Sequence, residues 1–183
     1  MDAFHERLAR TGLAAAEGYG FALAGGYAVQ AAGLLVRPTE DIDMFTAWER
    51  RADFESAVAA VTDAYLAEGL GVETERHHDS FVRLTVSDGE RIAKVELAVD
   101  SRAKDPIRMA VGPVLHPDDA VTNKMNALYS RALARGFIDI DAAIRSGRYD
   151  GETLVQLAER AELGFDRRVF ADALAQAQNL DPE

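Results

Sequence analysis

The sequence predicts a mixed α/β (α+β) fold with a helical C-terminal part, and three observations carry that expectation. Apolar residues recur at period two in short segments between residues 21 and 111, as strands with one buried face require. Stretches with helical spacing interrupt them, chiefly 3–18 and 48–67. Beyond about residue 115 only helical patterns remain, so strands and helices segregate along the chain.

Taken in order, residues 3–18 form an amphipathic helix with Phe4, Leu8 and Ala15 among His5, Glu6, Arg7 and Arg10. Residues 21–24 are a short apolar strand ended by Gly25 and Gly26, followed by a small-residue helix over 27–35. Pro38 biases Arg37 away from the helical region and marks its end. Residues 41–45 alternate acid and apolar side chains as a strand. The long helix over 48–67 carries Phe54, Val58, Val61 and Tyr65 on one side. Strands follow over 72–76, 81–86 and 91–99, with Asp88-Gly89 as a hairpin turn, and a further short strand covers 108–111. A helix then starts at Pro117 and runs to about Arg135, followed by helical segments 137–146, 151–162 and 166–178. The expected organisation is a core over residues 1–115 and a helical region over 116–183 packed on it.

With 183 residues the chain is long enough to bury a core without staples, and it has no cysteine, which excludes disulfides, thiolate metal sites and a cysteine nucleophile. The first residues lack the apolar stretch of a signal peptide, and no run reaches the length of a membrane span, so a cytoplasmic protein with no membrane partner is expected. The formal charge of -11 argues against coating phosphate backbones and suits a cationic small substrate or a basic partner.

Asp41 and Asp43 project from one face of their strand, and two carboxylates held together require a shared proton, a basic residue or a cation. Magnesium answers that need with one or two carboxylates, substrate phosphates and water. Gly25 and Gly26 would let backbone amides approach a phosphate, next to the amide end of the following helix, and Arg37 and Thr39 would orient it. Glu96, flanked by core residues Val95 and Leu97, is a candidate third acid, with pairing to Lys94 on the same face as the simpler alternative. Ile42 and Phe45 are expected on the core side or strand end. The four histidines form no compact ligand set, and Trp48 is expected to pack.

Residues Leu23 to Ala28, Gly33, Arg37, Thr39 and Asp41-Ile42-Asp43-Met44-Phe45 together resemble the nucleotidyltransferase superfamily of the polymerase-beta type. More narrowly, the chain looks like the AbiEii/AbiGii toxin family, and the resemblance continues through residues 123–131, Arg135 and Asp139. It implies a nucleotidyltransferase-like mixed sheet with flanking helices. Asp41, Asp43 and Glu96 would hold Mg²⁺, as two ions, and Lys124 would meet the phosphates of a nucleoside triphosphate. Arg131 and Asp139 join Gly25, Gly26, Arg37 and Thr39 as nucleotide-binding candidates. The family's usual Arg-Asp-x-x-Asp pattern is changed here, with Gly136 after Arg135. Lys124, Leu128, Arg131 and Arg135 would form one helical stripe.

The implied reaction moves a nucleoside monophosphate from a triphosphate to an acceptor, either transfer RNA or another cellular target, with a possible antitoxin protein as partner. An aminoglycoside-type transferase is the nearest rival, since the acidic chain suits a cationic drug. An interaction protein that keeps the fold without catalysis is the third reading.

Overall fold

A computed structural model describes residues 1–35 and 38–175. At its centre is a seven-stranded mixed sheet, in the order β3-β4-β5-β2-β1-β7-β6. The strands are β1 (Ala22–Leu23), β2 (Asp41–Ala47), β3 (Gly71–His78), β4 (Phe81–Ser87), β5 (Ile92–Asp100), β6 (Ile107–Met109) and β7 (Gly112–Val114). β2 runs parallel to β5 and antiparallel to β1, which pairs in parallel with β7. The expected mixed sheet with flanking helices and a helical C-terminal part is therefore observed.

The period-two patterns give the sheet one dry face. Ile42, Met44, Val82, Leu84, Val86, Ala93, Val95 and Leu97 are buried on it. Helices α1 (Ala3–Ala15) and α3 (Phe54–Ala67) contribute Leu8, Leu13, Phe54, Val61 and Tyr65 to that core. Full burial of such side chains contributes about 1.5–3 kcal/mol each. Asp2 caps α1, its carboxylate accepting from the Phe4 and His5 amides at 2.9 and 3.0 Å. Gly12 lets α1 lie close, because a Cβ there would come 2.6 Å from the Tyr65 hydroxyl and 2.7 Å from Met44. The Tyr65 hydroxyl in turn donates to the Leu8 carbonyl at 2.9 Å.

The opposite face carries Asp41, Asp43, Arg83 and Glu96 and is met by α2 (Gly25–Ala31), α4 (Pro117–Arg131) and α5 (Ala134–Arg145). α6 (Gly151–Ala161) and α7 (Arg167–Ala175) pack on α4. Among the described residues no helix is long and apolar enough to cross a membrane.

Several expected boundaries move for local reasons. α2 starts at Gly25 and ends at Ala31, so the glycine pair forms its first turn rather than preceding it. The expected helix over 48–67 is split: Trp48–Asp53 forms a 3₁₀ helix and α3 begins at Phe54. Trp48 is 54% exposed with Arg51 over its ring, so it is not a packing residue. The expected helix from Pro117 to about Arg135 ends at Arg131, where Ala132 turns left-handed at φ +46°. The short strand near 108–111 is a hairpin of β6 and β7, whose second strand joins β1.

Candidate functional site

A cavity of about 390 Å³ opens where the ends of β2, β4 and β5 face α2, α4 and α5. It is lined by Gly25, Gly26, Thr39, Asp41, Asp43, Arg83, Glu96, Lys124, Arg131 and Asp139, with Phe45, Asn123 and Arg135 among the others. Every described member of the predicted site set therefore lies around one cavity; Arg37 lies outside the described residues.

The sheet wall is built by register. Asp43 is the direct neighbour of Glu96 across β2 and β5, and Glu96 is the direct neighbour of Arg83 across β5 and β4. Opposed residues on adjacent strands project from the same face, so Asp43, Glu96 and Arg83 form one row. Asp41 sits two residues before Asp43 on that face, and Phe45 two residues after it; Phe45, expected on the core side or at the strand end, lies toward the end of β2, where it lines the cavity and packs partly against the core. Arg83 donates from Nε to the Glu96 carboxylate at 2.8 Å, and from its terminal nitrogen to the same Oε1. The simpler alternative of a Lys94–Glu96 pair is thus replaced by a cross-strand partner, because Lys94 opposes Asp41 and Thr85 instead.

Asp43 is the most perturbed acid of the row. Burial pushes its carboxyl up to about 7, reinforced by the charge of Glu96, a hydrogen bond with Glu96 and the charge of Asp41; Lys124 opposes the shift. Asp41 is raised too, by burial and then by Glu96, against the pull of Arg83, Lys94 and Arg135.

The glycine pair has two separate tasks. Gly25 adopts φ +56°, and a Cβ there would lie 1.7 Å from Oδ2 of Asp43, so only glycine lets that carboxylate sit under the turn. A Cβ on Gly26 would come 2.7 Å from Oγ1 of Thr39. Thr39 is further fixed by Gln30, whose amide donates to its hydroxyl at 2.9 Å. The space beside the glycines is thus filled by two side chains of this chain.

The helical wall carries a second pair. Lys124 on α4 contacts Asp139 on α5 at 3.0 Å, with the Asp139 side chain only 2% exposed. Gly136 lets the two helices approach, since a Cβ there would meet Leu128 Cδ1 at 3.3 Å. That packing accounts for glycine at the position where the resemblance led one to expect an acid. The expected stripe is split: Arg135 belongs to α5 and Leu128 is fully buried, while Lys124, Arg131 and Arg135 all reach the cavity.

Two lining residues escaped the reading of the sequence. Arg83 shows only as the polar phase of an alternating strand. Asn123, next to Lys124, has its carboxamide nitrogen and oxygen buried with no hydrogen-bond partner among the described residues. Among the described residues no group of three or more His, Asp or Glu side chains is arranged to hold a metal ion. Asp41 and Asp43 remain as a two-carboxylate donor set, with Glu96 engaged by Arg83.

This fold recurs in solved structures. JHP933 from Helicobacter pylori matches with a TM-score of 0.53 and 16% identity, over 96% of this chain and 94% of that one. MenT4, a nucleotidyltransferase toxin from Mycobacterium tuberculosis H37Rv, matches with a TM-score of 0.58 and 18% identity, over 85% of this chain but only 62% of its own length. No curated protein matches. The acid row behind a glycine turn, on this sheet, places the protein in the nucleotidyltransferase superfamily. The model of the family described as "Nucleotidyl transferase AbiEii toxin, Type IV TA system" matches residues 7–182, and the chain belongs to that family.

Proposed function

We propose that this chain is a Mg²⁺-dependent nucleotidyltransferase that moves a nucleoside monophosphate from a nucleoside triphosphate to an acceptor, and that it serves as the toxin of a toxin–antitoxin pair. The observation that carries this reading is the row of Asp41, Asp43 and Glu96 around one cavity, with Asp43 seated under Gly25 and directly opposite Glu96, so that the carboxylates repel one another. A divalent cation on Asp41 and Asp43 would relieve the same repulsion. The donor set suits a hard ion, since it consists of carboxylate oxygens with no sulfur or clustered imidazole.

Bound there, Mg²⁺ would neutralise the triphosphate and lower the pKa of the acceptor hydroxyl. The rest falls to the side chains. Asp41 and Asp43 would hold the cation. Lys124 places its ammonium toward the phosphates, and Asp139 fixes its position. Asn123 offers a buried carboxamide to a polar ligand group. Thr39 and the Gly25–Gly26 turn shape the floor, while Arg131 and Arg135 supply positive charge at the mouth. In the transfer, the acceptor oxygen forms a bond to the α-phosphorus as the bond to the bridging oxygen breaks and pyrophosphate leaves, and the acceptor hydroxyl proton passes to solvent water. Positioning and charge stabilisation account for the rate.

The acceptor is a nucleic-acid end such as that of transfer RNA, a reading supported by the cations Arg83, Arg131 and Arg135 that line the cavity, with a cationic aminoglycoside as the alternative that the net charge of -11 suits. An antitoxin protein is the expected partner. The test incubates the protein with Mg²⁺ and each labelled triphosphate, offering total RNA, protein or aminoglycosides. Label transfer to RNA with release of pyrophosphate, lost in Asp43→Asn, is the expected outcome. Transfer to an aminoglycoside alone would move the acceptor to the small-molecule class. Undiminished transfer by Asp43→Asn would sink the mechanism.

A further inference from the structure

One side chain on the helical wall leaves its hydrogen bonds unmade. Asn123, beside Lys124 on α4, has both its carboxamide nitrogen and its carboxamide oxygen buried and without a partner among the described residues. A buried amide left unpaired is costly, and packing alone gains nothing from it. The cost falls at the cavity, because Asn123 lines it together with Phe45, Lys124 and Ala127. Among the described residues Arg102 and Asn126 also hold a buried unpaired atom, but each has only one and neither lines this cavity. No hydrogen bond among the described residues holds the Asn123 carboxamide in its seat. Rotation about its Cα–Cβ bond therefore carries the amide into the cavity without breaking one.

We infer that Asn123 is a specificity-determining residue, which turns its carboxamide onto the base edge of the donor triphosphate while that base lies on the ring of Phe45. This rests on the nucleotidyltransferase reading and deepens it. The amide itself selects the ligand group. A phosphate would satisfy its NH₂ and repel its oxygen, and a cation would do the reverse. A group with a donor beside an acceptor completes both, and the edge of a nucleobase is such a group. Phe45 supplies the flat apolar surface: it is the one aromatic ring among the lining residues, and it packs partly against the core, which fixes it. The spacing fits a nucleotide. Phe45 lies two residues beyond Asp43 on one face of β2, roughly 6.5 Å along the strand, a span that a ribose bridges between base and α-phosphate. The same order repeats on α4, where Asn123 for the base is next to Lys124 for the phosphates.

The test measures equilibrium binding of non-hydrolysable ATP, GTP, CTP and UTP analogues in Mg²⁺, their 2′-deoxy forms, and inorganic tripolyphosphate, alongside thermal melts of the ligand-free protein. Wild type should separate its best base from its worst by about five-fold or more in Kd, the discrimination of one good bidentate contact. Asn123→Leu keeps the volume of the side chain and removes both polar groups. It should bring the four triphosphates within about two-fold of one another and leave tripolyphosphate binding unchanged. Its ligand-free melting temperature should hold or rise, because no buried amide is then left unpaired. Discrimination that survives in folded Asn123→Leu, or is lacking in wild type, would overturn the inference. So would a lower melting temperature with unchanged discrimination, which makes Asn123 structural, or a loss confined to the 2′-hydroxyl, which moves the contact to the sugar. If Asn123→Leu fails to fold, Asn123→Ala carries the same measurements. Wild type that binds no triphosphate and transfers no nucleotide defeats the underlying functional reading as well; wild type that transfers nucleotide with a base preference untouched by the substitution defeats only this inference.

Discussion

The cavity has a sheet wall and a helical wall, each with a cation–carboxylate pair, and the two pairs are held by different means. Arg83 and Glu96 are fixed by strand register, with 22% and 15% of their side chains exposed. Lys124 and Asp139 depend on α4 and α5 meeting at Gly136, and Asp139 is 2% exposed. A pair set by register keeps its geometry when a ligand pulls one member away, because backbone hydrogen bonds position both strands. A pair set by helix packing is itself part of the packing. The difference leaves the sheet-wall pair partly open to solvent and makes the helical-wall pair part of the packing between α4 and α5.

The largest expected effect tests that difference. Lys124→Met should destabilise the fold by about 3 kcal/mol, the low end for removing one partner of a buried pair, since Asp139 keeps a further interaction. Arg83→Gln, on the better solvated pair, should cost about 1 kcal/mol. Urea unfolding of both variants measures the contrast. Equal losses would erase the distinction between the walls.

Next comes the turn that joins α2 to the sheet wall. Gly25→Ala forces a Cβ into the Asp43 carboxylate at a left-handed φ of +56°. The backbone and overpacking costs together are about 2 kcal/mol or more, and a thermal melt should register them. Transfer should fall with it, because Asp43 is the side chain displaced. A variant of wild-type stability would show that Asp43 does not sit under the turn.

What the sequence disclosed about these walls follows from how local each signal is. Asp41 and Asp43 were legible because period two alone puts them on one face, and Gly25 because a turn at a strand end needs it. Arg83 was not, for a reason of register. A two-residue turn at Asp88-Gly89 would oppose Arg83 to Lys94. The observed loop spans Asp88 to Arg91, with Asp88 accepting from the Glu90 and Arg91 amides at 3.1 and 2.8 Å, and it shifts the pairing so that Arg83 meets Glu96. On the helical wall, the spacing from Lys124 to Arg135 fitted one continuous helix, and nothing in Ala132 announces a left-handed residue. Alanine favours continuing the helix and loses about 1–2 kcal/mol at a left-handed φ, so tertiary packing such as Gly136 on Leu128 has to outweigh that local preference.

A smaller effect sharpens the link between Thr39 and the glycine turn. Gly26→Ala brings a Cβ to 2.7 Å from the Thr39 hydroxyl and 2.9 Å from its methyl, both at the end of a short side chain. A cost of about 1 kcal/mol is expected, and Thr39→Ala should recover most of it, because the clash and its relief share one contact. Additive losses in the double variant would mean that Gly26 is constrained by something other than Thr39.

The smallest effect concerns the rim of the helical wall. Arg131 and Arg135 are exposed at the cavity mouth. Arg131→Ala should leave stability within about 0.5 kcal/mol of wild type. If its charge draws in a triphosphate, KM for nucleotide should rise roughly two- to five-fold at low ionic strength, and the difference should shrink as the Debye length falls to about 3 Å near 1 M salt. kcat should stay unchanged, because attraction at the mouth acts before the phosphates reach Lys124. A salt-independent loss in kcat would instead move Arg131 inside the site, beside Lys124, as a second cation that acts on the phosphates during transfer.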